Sequence, residues 1–209
     1  RAEDVTNVAR LAGLGALVWE SVRRGSAAEI AGFESLEPVY LAAIQHEMLL
    51  AGARDEVVAA LAEARRVGSM SRPAVLLKGA HIRRTLFAGR AHLRPMADMD
   101  VLVSRQDLRA TRRVLAELGY RPRPEAGPEL QRRWVNQEAW LKEIGAALSK
   151  VDLHLELGNH TVWPSMAEEL LAAAEALPGD PPAFGLALRH LPYALSMHAA
   201  HAVFREPLT

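Results

Sequence analysis

The chain has 209 residues and a mass of 22.8 kDa, and half of it is hydrophobic, enough to bury a core and too much for a mainly disordered chain. Twenty-five Lys and Arg balance 25 Asp and Glu, and aromatics make up 5%, so neither a broadly basic nucleic-acid binder nor an aromatic platform for single strands is indicated. No cysteine is present, which excludes disulfides, thiolate metal sites and a cysteine nucleophile, and fits a cytoplasmic protein. No apolar run approaches the ~20 residues of a membrane helix, so no membrane partner is expected. The charged opening Arg1-Ala2-Glu3-Asp4 has no apolar stretch behind it, so no secretory leader is expected there. It lacks an initiating Met, the pattern of a trimmed chain. Phe204-Arg205-Glu206-Pro207-Leu208-Thr209 reads as a helix entering a turn, the pattern of a chain that continues.

Residues 1–68 read as helical, because Ala, Leu, Glu and Arg dominate and lose little side-chain freedom in a helix. Leu11, Leu14, Leu17 and Val18 recur at helical spacing, as do Leu41, Ile44, Met48 and Leu49, and again Val57, Val58, Leu61 and Ala64. Gly25-Ser26, Gly32 and Glu37-Pro38 are the expected breaks. The texture changes at Gly68-Ser69-Met70-Ser71-Arg72-Pro73. Ala74-Val75-Leu76-Leu77 then reads as a buried strand, followed by Lys78-Gly79 and a helix from Ala80 to about Phe87.

A loop from Ala91 to Ala97 leads to a second strand over Asp98–Val103, and residues 105–118 form an amphipathic helix closed by Gly119. Residues 121–130, rich in Pro, Gly and charge, read as a loop, and a strand is expected over Trp134–Lys142. From Lys150 to Leu157 the pattern alternates, with Val151, Leu153, Leu155 and Leu157 on one face and Asp152, His154 and Glu156 on the other. A helix over 165–177, a turn over Pro178–Pro182 and a final helix from Pro192 to Phe204 complete the chain. The whole reads as an α+β protein: a helical region over 1–70, an α/β core over 71–158 and a helical region over 159–209.

The informative chemistry is Asp98-x-Asp100 at the start of a strand. Residues two apart on a strand share a face, so the two carboxylates repel unless something positive lies between them. A divalent cation removes that penalty, and Mg²⁺ prefers one or two carboxylates with phosphate and water. Asp152 sits on a later strand, and if that strand lies beside the Asp98 strand the three carboxylates converge into a triad able to hold two ions. Asp-x-Asp alone also fits a solvated strand end. The strand ending at Lys78-Gly79 before a helix points backbone N–H groups and one ammonium at an anion, although the same pair also fits an ordinary turn. Arg83 and Arg84 read as solvated helix positions that are weaker phosphate candidates. His81 opens the helix, and His198 and His201 read as a structural pair without a complete zinc set; His46 and His160 carry no signal. There is no Gly-x-Ser-x-Gly elbow, no phosphate loop of the Walker type and no dinucleotide fingerprint.

Leu76-Leu77-Lys78-Gly79-Ala80, Leu93-Arg94-Pro95-Met96-Ala97-Asp98-Met99-Asp100-Val101-Leu102-Val103 and Val151-Asp152-Leu153-His154 together resemble the uncharacterised bacterial nucleotidyltransferase family, within the polymerase-β-like nucleotidyltransferase superfamily. The resemblance covers residues 72–157 well and the C-terminal part more loosely. It implies a mixed β-sheet core flanked by helices, and a Mg²⁺-dependent enzyme that moves a nucleoside monophosphate from a nucleoside triphosphate to an acceptor, releasing pyrophosphate. It implies Asp98, Asp100 and Asp152 as catalytic metal ligands for two Mg²⁺ ions, with Mn²⁺ as the alternative ion. It implies Lys78, Gly79, Arg94 and His154 as nucleotide-binding residues, with tuning of Asp152 or packing at the site's edge left open for His154. The acceptor is left open as a small molecule, a peptide or RNA. Where the superfamily has Gly-Ser, this chain has Gly79-Ala80, which keeps open a catalytically degenerate binding module. A toxin-type enzyme acting on RNA or protein, and a phosphohydrolase using water as acceptor, are further alternatives.

Overall fold

A computed structural model describes residues 2–11, 13–25, 32–123, 137–157 and 166–197. Two short helices, α1 (Ala2–Leu11) and α2 (Gly15–Arg24), precede a 30-residue helix, α3 (Glu37–Arg66). Pro38 sits in the first turn of α3, where its missing N–H costs nothing. The run from Leu11 to Val18 is split between α1 and α2, and Leu11 is largely exposed. A Cβ on Gly15 would lie 2.9 Å from Val39 Cγ1, so glycine is what lets α2 approach α3 this closely. Along α3, Ala43, Leu50, Val57, Val58, Leu61 and Ala64 are buried, whereas Leu41, Met48 and Leu49 are exposed.

Among the described residues the sheet has seven strands: β1 (Val75–Leu76), β2 (Met99–Leu102), β3 (Arg121–Pro122), β4 (Gln137–Ile144), β5 (Ala147–His154), β6 (Glu175–Leu177) and β7 (Ala183–Gly185). Their spatial order is β3-β4-β5-β2-β1-β7-β6. The pairs β2/β5 and β1/β7 are parallel and the other four are antiparallel. Helix α4 (Lys78–Thr85) follows β1, and α5 (Leu108–Glu117) follows β2 after one turn of 3₁₀ helix. Helix α6 (Ala167–Ala172) comes after β5, and residues 191–197 are helical.

Several boundaries differ from the sequence expectation. The helix expected over 165–177 stops at Ala172, and Glu175–Leu177 is strand β6 instead, because its backbone pairs with β7. Strand β7 follows the Pro-rich turn and pairs with β1, and three residues are too few to show an alternating pattern. Two residues of the expected 121–130 loop form β3 against β4. The strand expected to start at Lys150 starts at Ala147, extended by its hairpin with β4, and its ladder ends at His154. Helix α4 begins at Lys78, two residues before the expected Ala80. Residues 134–136, His160, His198, His201 and the end of the final helix lie outside the described residues.

The strand period sorts the sheet into two faces. Leu76, Met99, Val101, Val151 and Leu153 pack against α3 and α5, in one core with Val57, Leu61, Val114 and Leu115. Val75, Leu77 and Leu102 point the other way and are covered by Ala167, Leu170 and Leu171 of α6. By the same period Asp100, Asp152 and His154 belong to this second face.

One polar joint fixes the approach to β1. The buried Asp107 carboxylate accepts the backbone N–H groups of Ser71 and Arg72, each at 2.9 Å, and the Ser71 hydroxyl. Replacing it leaves those donors unsatisfied, which costs about 1–3 kcal/mol. Asp107→Ala is expected to lower the unfolding free energy by that amount in a urea titration, with Asp107→Asn losing less.

Candidate active site

The site begins where β1 becomes α4. Leu77 is extended and donates its N–H to the Asp100 carbonyl at 3.0 Å, joining β1 to β2 at the point where the chain turns. Lys78 then takes a φ of 44°, the left-handed region that a lysine enters at a cost of ~1–2 kcal/mol. Its ammonium donates to Asp100 Oδ1 at 2.6 Å, an interaction that opposes this strain. Gly79 packs on Met96: a Cβ there would lie 3.2 Å from Met96 Sδ. No side chain among the described residues caps α4, so the N–H groups of its first turn keep their capacity for an outside acceptor.

The acids are brought together by register. β2 and β5 run parallel with Asp100 opposite Asp152 and Leu102 opposite His154. Asp98 lies one residue ahead of β2 and is more exposed than the other two. His154 Nε2 and Lys78 Nζ both reach Asp100 Oδ1, each at 2.6 Å. Lys150, two residues before Asp152 on β5, donates to Asp152 Oδ2 at 2.7 Å and to Asp98 Oδ2 at 3.2 Å. Three carboxylates are thus answered by two ammonium groups and one imidazole.

Burial sets the electrostatics of each group. It pushes Asp100 up, but the hydrogen bonds and charges of His154 and Lys78 outweigh it and hold Asp100 below the ordinary carboxylate value. Asp152 is raised: burial is the largest cause and the charges of Asp98 and Asp100 add to it, against the hydrogen bond and charge of Lys150. Lys150 is raised, because Asp152 and then Asp98 together overcome the cost of its burial.

Asp152 Oδ1 is buried and has no hydrogen-bond partner among the described residues. A carboxylate oxygen left bare at a cluster of acids suits a hard cation, which takes oxygen ligands of this kind. As placed, no three carboxylate or imidazole groups among the described residues stand as an assembled ligand set. The ammonium groups of Lys78 and Lys150 hold the acids instead.

The remaining sequence candidates fall elsewhere. Arg94 is exposed, and its Nη1 donates to the carbonyl of Pro95 at 3.1 Å. His81 is buried against β7, where a Cβ on Gly185 would meet its ring at 2.4 Å. Burial pushes it below the usual histidine value. Arg83 and Arg84 are not solvated positions: Arg83 pairs with Glu47 on α3, and Arg84 donates to the Pro181 carbonyl at 2.6 Å. Sequence reasoning missed Lys150. The signal for it was the same period-2 rule that put His154 beside Asp152.

No helix among the described residues is long and apolar enough to cross a membrane. No curated protein and no solved structure matches the chain. A family model described as an uncharacterised nucleotidyltransferase matches residues 1–208. That match spans nearly the whole chain and covers both the Lys78-Gly79 turn and the acids of β2 and β5, so the chain belongs to the uncharacterised nucleotidyltransferase family, as an α+β enzyme that transfers phosphorus-containing groups.

Proposed function

We propose that this face of the sheet carries a Mg²⁺-dependent site that moves a nucleoside monophosphate from a nucleoside triphosphate to an acceptor hydroxyl or phosphate. The acceptor oxygen forms a new bond to the α-phosphorus, the bond from that phosphorus to the bridging oxygen breaks, and pyrophosphate leaves. The observation that carries this reading is the in-register pair Asp100–Asp152 with one buried, bare carboxylate oxygen. Asp98, Asp100 and Asp152 would hold two divalent ions, Mg²⁺ or Mn²⁺. Bound there, such ions supply positive charge to the phosphoryl oxygens and to the leaving pyrophosphate.

The chain's own groups divide the rest of the work. Lys78 and the uncapped first turn of α4 face outgoing phosphate as a charge and a set of N–H donors. Gly79 lets the backbone come close: a Cβ there would lie 3.2 Å from Met96 Sδ, so the Met96 side chain would have to give way. Arg94, exposed on the loop before Asp98, is a further phosphate contact. His154 fixes the orientation of Asp100 through Nε2, and lies at the edge of the nucleotide site. Asp152 orients the acceptor and takes its proton. A cysteine-free chain of this kind suits a reducing cytoplasm.

One observation favours a second reading, a non-catalytic module: Lys78 and Lys150 already pair with the acids, as internal cations would in a site that binds no ion. The two readings part on Lys150. In a metal site, Lys150→Met leaves Asp98 and Asp152 without their counter-charge, so the variant melts lower than wild type in chelator and gains more on adding Mg²⁺. In a non-catalytic module the loss in chelator is not recovered by Mg²⁺, and that result would overturn the proposal.

Donor binding is read by melting temperature with each of the four nucleoside triphosphates. A Mg²⁺-dependent rise for at least one is expected, abolished when Asp98→Ala is combined with Asp100→Ala. With the identified donor, Asp100→Asn is expected to reduce turnover by about 10²–10³-fold, the scale of losing one preorganised electrostatic group. Pyrophosphate and a labelled acceptor are the products expected. Nucleoside monophosphate released without any acceptor would point to a phosphohydrolase.

A further inference from the structure

We propose that the outer half of the acid-bearing sheet face, over β4 and β3, binds a phosphate monoester through Arg121 and Arg123, and that this phosphate belongs to the acceptor. The acceptor role rests on the nucleotidyl-transfer reading, whereas the phosphate site rests on the sheet alone.

Strand register places the two arginines. Arg121 is paired with Leu141, and Leu141 with Lys150. One residue past β3, Arg123 donates its N–H to the Ala139 carbonyl at 2.8 Å, which continues the ladder, and Ala139 lies opposite Asp152. Residues paired across neighbouring strands share a face. Arg123, Ala139, Asp152 and Asp100 therefore form one cross-strand row, and Arg121, Leu141 and Lys150 form the next. At ~4.8 Å per strand, the Arg123 backbone is about 10 Å from that of Asp152. The step between them is filled by an alanine, so no long side chain of β4 separates arginine from acid. The other face agrees with this register: Glu138 pairs with Arg112 of α5, and Lys142 with Glu56 of α3.

This half of the face is open, and its arginines are uncommitted. Helix α6 lies over Val75, Leu77 and Leu102, toward the other edge. Ala139 and Leu141 are half-buried, Leu148 is 50% exposed, and Arg121 and Arg123 are exposed. Among the described residues neither arginine has an ion pair or a side-chain hydrogen bond. The acids of the centre have their own cations in Lys78, Lys150 and His154. The further acid on this half, Glu143, lies opposite Leu148, a row beyond Arg121, and pairs with neither arginine.

Two guanidinium forks suit a phosphate monoester, which offers three acceptor oxygens and about two charges, where a carboxylate offers two oxygens and one. Leu141, between Arg121 and Lys150, gives the acceptor's body an apolar floor. The donor phosphates have separate partners in Lys78 and the first turn of α4. Those follow β1, four strands from β3, or about 19 Å along the sheet. Donor and acceptor thus approach the acids from opposite sides.

The test uses the whole chain in chelator, with phenyl phosphate as probe and benzoate and benzyl alcohol as controls. A saturable rise in melting temperature is expected for phenyl phosphate, a weaker one for benzoate and none for the alcohol. Combining Arg121→Gln with Arg123→Gln should weaken phenyl phosphate binding at least about tenfold, the scale of one charge-assisted hydrogen bond. Both side chains are exposed, so the variant should melt with wild type when no probe is present. It should also keep the Mg²⁺-dependent response to nucleoside triphosphate, whereas Lys78→Met should reduce that response and leave phenyl phosphate binding intact. Phenyl phosphate should still bind at saturating triphosphate. No saturable response, an equal response to benzoate, or binding that survives the double substitution would overturn the phosphate site. Competition by a single-stranded RNA lacking terminal phosphates would overturn it too, in favour of a phosphodiester backbone. Mutual exclusion with triphosphate, or loss of the triphosphate response in the double variant, would overturn the acceptor role. Arginine-dependent binding in a chain that answers no triphosphate would overturn the transfer reading and leave the phosphate site standing.

Discussion

The parallel pairing of β2 with β5 is the constraint on which the acidic face depends. Two strands from distant parts of the sequence run side by side with Asp100 opposite Asp152. A slip of one residue on either strand would turn its acid toward the core of Val57, Val101 and Leu153 and turn an apolar side chain outward. The hydrophobic pattern therefore fixes which face carries the acids. Burying Val101 and Leu153 against α3 and α5 puts Asp100 and Asp152 on the opposite side, and the β2/β5 register then sets them beside each other.

Meeting has an energetic consequence that the chain answers locally. Lys78 and His154 answer Asp100, and Lys150 spans Asp98 and Asp152. The two clusters differ. Asp100 has its charged state favoured by two donors on a single oxygen, whereas Asp152 keeps one oxygen bare and has its charged state disfavoured by burial. Asp100 is thereby held ionised and fixed in place. Asp152 is left with unsatisfied capacity, which is the property expected of a group that must gain a partner during function.

Much of this was legible in the sequence, and the limits follow from what a pattern can carry. Period 2 was enough to place Asp98 near Asp100, and His154 on the face of Asp152. The same rule reached Lys150, but a pattern of acids directs attention to what binds cations and away from the cation already present. Strands β6 and β7 have three residues each, and their backbone partners, not their side chains, define them. Nothing in the string announces that Lys78 takes a positive φ, since that conformation is imposed by the turn between Leu77 and Gly79. Arg83 read as solvated because charge on a short helix usually is. Its burial is decided by α3, a helix that ends 17 residues earlier in the sequence, at Arg66, and contributes Glu47.

Helix α4 connects the two faces that these charges occupy. At about 100° per residue, Lys78 and Arg83 are five positions and roughly 140° apart around its axis. One points to Asp100 across the end of β1, and the other to Glu47 beneath the sheet. Met96 sits between: its side chain lies against Gly79 and its carbonyl accepts Arg54. Two residues later the chain reaches Asp98. The short run from Met96 to Asp98 is therefore clamped from the α3 side by Arg54 and from the acidic side by Lys150. A sheet one strand thick separates the faces, and the polar groups on each are tied to the same helix and the same loop. The position of Asp98 thus depends on arginine contacts that never touch it.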